Sequence, residues 1–282
     1  MKVSYYPGCS LKGTAREYGE SVEAVFRHLG MELDELADWN CCGASSAHAV
    51  SDELAVGLGL RNLEIADRTG FDLVVPCAAC FQRLKVAEKA VKSGKVKPQN
   101  GYRGAFRIRH LADFLGEDIS PKLVKERVKK PLEGLKVVCY YGCLTSRPPE
   151  ITDAARPEDP ETMDNLMTLL GADVENWSYK TDCCGGNLIL TRPKVAKKMV
   201  QKLFDKALEA GADAIVVACP MCFSNLDMKQ AELTRETGRE YHLPILYLSE
   251  LLGLAFGDRD TGKWLRGHEV DPRPLLKEKG LL

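Results

Sequence analysis

Two short apolar runs, uninterrupted by polar residues, mark the chain: "LVV" inside "FDLVVPCAACFQRL" (71–84) and "AIVV" inside "ADAIVVACPMCFSNL" (212–226). Continuous β-branched runs of this length predict strands buried on both faces of a parallel sheet. Helical composition follows each at once, in "FQRLKVAEKAVKSG" and "FSNLDMKQAELTRETG", with glycine where each helix should stop. "KVSYYPGCS" predicts a further strand, and "TAREYGESVEAVFRHLG" a helix opened by a Thr14–Glu17 capping box and closed at Gly30, with Cys9 in the loop between them. "SDELAVGLGLRNLEIADRTG" and "TRPKVAKKMVQKLFDKALEAG" have helical patterning as well. Strands that alternate with helices imply an α/β fold.

The pattern occurs twice. "SYYPGCSL" (4–11) returns as "CYYGCL" (139–144), "DWNCCGAS" as "KTDCCGGN" (180–187), and the first apolar run with its CxxC as the second, in unchanged order. A duplicated chain predicts two pseudo-symmetric α/β lobes, each a small, mainly parallel sheet flanked by helices. The expected divisions are a first domain over 1–118, a polar linker with one short helix over 119–134, a second domain over 135–255, and a surface tail without clear period over 256–282.

Length and charge narrow the chemistry. A chain of 282 residues can bury a core without disulfides, and 39 basic against 40 acidic residues, interspersed, give no electrostatic footprint for nucleic acid or a membrane surface. The opening "MKVSYYPGCSLKG" lacks the apolar stretch of a secretory signal, and no segment has the apolar length of a membrane span, so a cytoplasmic protein without direct membrane insertion is expected. In that compartment the 11 cysteines point to metal binding or redox chemistry, not to structural disulfides.

Ten of the eleven form two equivalent sets. Cys9 precedes Cys41-Cys42-Gly43 by 31 intervening residues, and 34 more lead to Cys77-x-x-Cys80; Cys143 precedes Cys183-Cys184-Gly185 by 39, and 34 more lead to Cys219-x-x-Cys222. Adjacent cysteines can hardly close a disulfide on each other. The predicted elements place each CxxC where a strand's carboxyl end turns into a helix, the edge at which open α/β sheets bind ligands. Helix amino termini there would favour thiolates, and Gly43 and Gly185 leave room for backbone beside a bulky group. Structural zinc takes four ligands, so five overfill it. A thioredoxin-like reading uses only the CxxC pairs, and ordinary cubane clusters take four cysteines, often in compact runs. Spacing favours iron and sulfide in an unusual cluster. Cys139, in "LKVVCYYG", is expected to pack a strand. Tyr5, Tyr6, Tyr140 and Tyr141 are expected to pack as strand residues and His48 to lie at the surface.

This doubled ten-cysteine pattern, with the "YYPGC" opening and the late "VDPRPLL", resembles the duplicated CCG domain of the heterodisulfide reductase B subunit over nearly the whole chain. The resemblance implies two noncubane [4Fe-4S] clusters, one held by Cys9, Cys41, Cys42, Cys77 and Cys80 and the other by Cys143, Cys183, Cys184, Cys219 and Cys222. It implies a catalytic subunit that reduces a disulfide to two thiols between the clusters, which carry the chemistry in place of a protein nucleophile. The implied partners are the C and A components of such a complex, respectively a small ferredoxin-like iron–sulfur protein and a flavoprotein. The chain itself has no nucleotide-binding fingerprint, since "AVGLGL" falls within a helical segment. A second class of function stays open: a CCG-type electron-transfer subunit of a dehydrogenase complex for lactate, glycolate or glycerol phosphate, without disulfide chemistry. A zinc-stabilised interaction module is the third.

Overall fold

A computed structural model of the protein describes residues 1–44, 46–98 and 100–282. Its first four strands, β1 (Lys2–Tyr5), β2 (Glu32–Glu35), β3 (Leu73–Val75) and β4 (Ile108–His110), form one sheet in the order β2-β1-β3-β4. The next four, β5 (Lys136–Tyr140), β6 (Asp173–Val174), β7 (Ala214–Val217) and β8 (Ile245–Tyr247), form a second in the matching order β6-β5-β7-β8. Every pairing is parallel. The apolar runs are the interior strands β3 and β7, wholly buried, whereas "ELDE" of β2 is a polar, solvent-facing edge strand. Two α/β lobes with parallel sheets flanked by helices are therefore what the duplicated pattern builds.

The helices begin and end where local chemistry permits. Ser51 caps the helix Asp52–Asp67, its Oγ accepting the Leu54 amide at 3.2 Å, with Asp52 and Glu53 in the first turn. The expected Thr14–Glu17 capping box is absent: a short helix, Gly8–Lys12, comes first, the Ala15 amide is taken by the Ser10 carbonyl at 2.8 Å, and the longer helix starts only at Arg16, after an uncapped Ala15. The stretch after the second CxxC is two helices, Pro220–Asp227 and Gln230–Thr237. At the break, the buried Asp227 carboxylate accepts the Glu269 and Val270 amides at 2.6 and 3.2 Å, drawing the end of the chain onto the second lobe.

Among the described residues, the larger of two apolar clusters runs through both lobes. Tyr18, from the helix Arg16–His28, stacks on Tyr247 with ring centroids 3.9 Å apart, and the Ser21 and Ser249 hydroxyls share a 2.6 Å hydrogen bond. Between the lobes the helix Pro121–Arg127 forms, and the Lys129 and Lys130 amides then donate to the Ala255 carbonyl. The closing stretch is more than a surface wrap. It contains the helices Thr261–Trp264 and Arg273–Glu278 and buries Trp264, whose ring lies so close to Gly253 that a Cβ there would stand 2.6 Å from it. Its buried apolar residues, Trp264, Leu265, Val270, Leu276 and Leu281, are too irregularly spaced to show as a period. Trp264→Ala is expected to cost about 3–5 kcal/mol, the usual range for an emptied aromatic site, seen as a lower urea midpoint; an unchanged midpoint would mean the tail is not part of the core.

Candidate metal centre

All ten repeated cysteines lie at the carboxyl ends of the interior strands or in the loops beside them. Cys9 follows β1 within the short helix Gly8–Lys12, where a loop was expected. Cys77 follows β3 and immediately precedes the helix Ala78–Lys92, which places Cys80 in its first turn; Cys219 and Cys222 stand in the same way between β7 and the helix Pro220–Asp227. Cys143 follows β5. Cys41-Cys42 and Cys183-Cys184 occupy the CCG loops, and in both the amide of the following glycine donates to the first sulfur, Gly43 to Cys41 Sγ at 3.5 Å and Gly185 to Cys183 Sγ at 3.3 Å. Both glycines have positive φ, +78° and +75°, a conformation that glycine takes without strain.

The sulfurs meet in pairs. Cys42 Sγ is 3.3 Å from Cys80 Sγ, and Cys184 Sγ 3.8 Å from Cys222 Sγ. Cys143 lies beside Cys183, and Cys77 of the first lobe shares a buried cluster with Cys219 of the second, so the two sets adjoin across the lobe interface. Contact with the Cys80 thiol brings Cys42 down to about 7, and contact with Cys143 brings Cys183 down to about 6. Cys42, Cys77, Cys80, Cys184 and Cys219 are buried, whereas Cys9, Cys41 and Cys183 are exposed, so each set has a closed back and an open rim. Cys139 is buried in β5, its thiol pushed well up by burial, apart from both sets.

Two backbone devices that sequence reasoning left aside shape the sites. Gly8 and Gly142, which precede the first cysteine of each set, have φ of +71° and +69°; a Cβ on them would stand 3.0 Å from Cys80 Sγ and 3.1 Å from Cys222 Sγ. Tyr6 and Tyr140 donate their hydroxyls, each at 2.7 Å, to the carbonyls of Asn40 and Asp182, the residues just ahead of the paired cysteines. The signal for both was in the repeat, as the shared Tyr-x-Gly-Cys. Two asparagines add to this: Asn62 Nδ2 donates to the Asn40 carbonyl at 3.0 Å and Asn225 Nδ2 to the Cys184 carbonyl at 2.5 Å. These residues lie in helices and share no motif. Tyr141 donates to Asp164 at 2.5 Å, Tyr5 is buried in the core, and His48 is half-buried in the helix Ala47–Val50.

A cavity of about 40 Å³ is lined by all five second-lobe cysteines together with Ala78 and Ala79 of the first lobe. Among the described residues no three Cys, His, Asp or Glu side chains converge as ligands of one metal ion. The donors are thiols alone, strung out in pairs, with positive-φ glycines keeping side chains off the sulfurs. That set suits a group with several metal atoms, since such a group can take its ligands at separate points.

Comparison with known proteins agrees with the duplication. The family model for a cysteine-rich domain, CCG, matches residues 3–85 and again 137–227. The chain is 30% identical to the 8-methylmenaquinol:fumarate reductase membrane anchor subunit of Wolinella succinogenes, covering 91% of this chain and 92% of that one. It is 28% identical to the B subunit of the ferredoxin:CoB-CoM heterodisulfide reductase of Methanosarcina mazei, over 91% and 89%. Among solved structures, a hypothetical protein from Helicobacter pylori superposes with a TM-score of 0.74 at 12% identity over 96% of this chain, which spans about half (52%) of that longer one; the likeness is of fold.

The glycine cradle is open to direct test in metal-free protein. Gly134 has φ +77° with nothing within 4 Å of an added Cβ, so Gly134→Ala reports the conformational cost alone, whereas Gly142→Ala adds the approach to Cys222 Sγ. Each should destabilise, Gly134→Ala by about 1 kcal/mol and Gly142→Ala by about 2–3 kcal/mol in urea unfolding. Equal costs would mean that the sulfur does not crowd position 142.

Proposed function

As a member of the CCG cysteine-rich family that carries the domain twice, this chain is, we propose, the catalytic subunit of a heterodisulfide reductase-type complex. The observation that supports the reading is that two complete five-cysteine sets adjoin across the lobe interface, where Cys77 and Cys219 lie in one buried cluster. In it, Cys9, Cys41, Cys42, Cys77 and Cys80 hold one noncubane [4Fe-4S] cluster, and Cys143, Cys183, Cys184, Cys219 and Cys222 the other. When bound, the clusters supply electrons one at a time, so that R–S–S–R′, two electrons and two protons give two thiols.

The chain's own residues hold and shield. Tyr6 and Tyr140 fix the CCG loops against β1 and β5, and Gly8 and Gly142 keep side chains off Cys80 Sγ and Cys222 Sγ. The buried sulfurs Cys77 and Cys219 set the closest approach of the two sites, so a disulfide lying over that junction can present one sulfur to each lobe. His110 braces the junction: its Nε2–H donates across the interface to the Ala218 carbonyl at 3.1 Å, and its Nδ1 accepts the Ala112 amide at 3.4 Å. Burial lowers its affinity for a proton, which keeps this donor and acceptor pair in the neutral tautomer. Electrons come from the other proteins of the complex, an iron–sulfur protein fed by a flavoprotein.

The likeness to a fumarate reductase subunit favours a second reading, an electron-transfer subunit of another complex with no disulfide chemistry. Among the described residues no helix is long and apolar enough to cross a membrane.

Protein purified without oxygen should contain about eight irons and a similar count of acid-labile sulfide, as two four-iron clusters require. After reduction by viologen it should release two thiols for each heterodisulfide of coenzymes M and B. Full iron with no thiol release would support the electron-transfer reading, and zinc without iron would refute both. Cys42→Ser should disturb the spectrum of one cluster and leave the other largely intact; equal loss from both would contradict independent sites.

A further inference from the structure

The long helices that follow the two CCG loops begin with opposite charge. In the first lobe the CCG loop leads into the helix Asp52–Asp67, and in the second a turn at Gly186–Leu188 leads into the helix Pro193–Glu209. Leu54 and Val195, in the first turns, are similarly exposed at 46% and 45%, and each is followed by a buried alanine, Ala55 and Ala196. One rim carries Asp52 and Glu53, whereas the other carries Arg192, Lys194 and Lys198, all five exposed. Among the described residues none of these five side chains has an ion-pair or hydrogen-bond partner, and Leu190, two residues before Arg192, is 91% exposed.

Local stability does not account for the basic rim. Carboxylates suit the positive amino end of a helix, and the first lobe has them beside its Ser51 cap; cations oppose it, yet the second-lobe helix has no acidic residue in its first turn and no side-chain cap. The rim also lies against the site. A Cβ on Gly185 would stand 3.0 Å from Ala196 Cα, so the loop that carries exposed Cys183 rests on the basic helix at its first turn.

We infer that this second-lobe rim, with exposed Leu190 and Val195 and the unpaired Arg192, Lys194 and Lys198, is the docking face for an acidic iron–sulfur electron donor, so that electrons reach the second five-cysteine set first. The inference rests on the reading that electrons arrive from another protein. Charge complementarity selects the partner: an acidic donor is attracted to this rim and repelled by Asp52 and Glu53 at the other, which breaks the symmetry of the duplication. The two apolar side chains supply a central contact that excludes water inside a charged border.

The test uses the anaerobically prepared full chain and an acidic two-[4Fe-4S] ferredoxin as probe. Binding of the oxidised ferredoxin should weaken about tenfold or more between about 20 and 300 mM salt. It should weaken about tenfold at low salt in Lys194→Glu/Lys198→Glu and hold or strengthen in Asp52→Lys/Glu53→Lys. Reduction by the small cation methyl viologen should be the same in all three proteins, and the second-lobe variant should melt no lower than the parent, since its new carboxylates favour the helix end. Ferredoxin binding indifferent to the second-lobe reversal, or lost with the first-lobe one, would overturn the inference. So would parent protein that floats with phosphatidylglycerol vesicles and loses that property on second-lobe reversal, which would make the rim a lipid contact. Failure of viologen to deliver electrons to the parent would instead defeat the proposed function, while the binding measurement still decides the docking face.

Discussion

A single hydrogen bond, made once in each lobe, fixes where the sulfurs can go. The hydroxyl of Tyr6, or of Tyr140, reaches from the end of a central strand to the carbonyl ahead of the paired cysteines, at 2.7 Å in both lobes. The phenols are forced to act as donors, because burial, with the cysteine sulfurs nearby, pushes their ionisation far above the ordinary tyrosine range. The CCG loop is thereby tied to the end of a central strand. The glycine two residues after the tyrosine then has to take positive φ and offer no side chain, because the CxxC sulfur occupies the space a Cβ would need. Each cysteine set is thus positioned by backbone, from two interior strands, with little left to side-chain freedom.

The same geometry makes the lobes one unit. Cys77 and Cys219 both stand where an interior strand ends, and the lobes pack with those ends together, braced by the stacked Tyr18 and Tyr247 rings. Tyr18 donates its hydroxyl to the Pro76 carbonyl at 3.0 Å, next to Cys77, so the packing of the lobes and the placement of the junction sulfur are coupled through one side chain. Residues beyond the repeats reinforce this, since the closing helix around Trp264 packs on the helix Arg16–His28 and Lys263 pairs with Glu20 at 2.7 Å. Such an arrangement ties the two cysteine sets into one packed unit.

Much of this was legible in the chain because the duplication prints every constraint twice. The buried strands, the helices after them and the ten cysteines all recur, and period and spacing were enough to place them on two parallel sheets. Other features depend on tertiary context that no local pattern carries. Thr14 and Glu17 have capping-box spacing, but the turn made by Gly8–Lys12 moves the helix start past them. The helix after Cys222 breaks because Asp227 is claimed by backbone amides some forty residues later. Asn62 and Asn225 hold the CCG loops from helices with no common motif. The tail resembles an irregular wrap because its buried apolar residues, Trp264, Leu265, Val270, Leu276 and Leu281, follow no period, and the role of Trp264 appears only once Gly253 is beside it.

The central claim is that each lobe grips one multi-iron group through all five of its thiols, with the two groups meeting at the Cys77–Cys219 junction. Anomalous diffraction at the iron absorption edge, from crystals grown without oxygen, tests it most directly. The account predicts two separate iron peaks, one per lobe, each in bonding contact with all five of its cysteine sulfurs and with Cys139 outside both. A single peak, or a sulfur of either set turned away from iron, would contradict it.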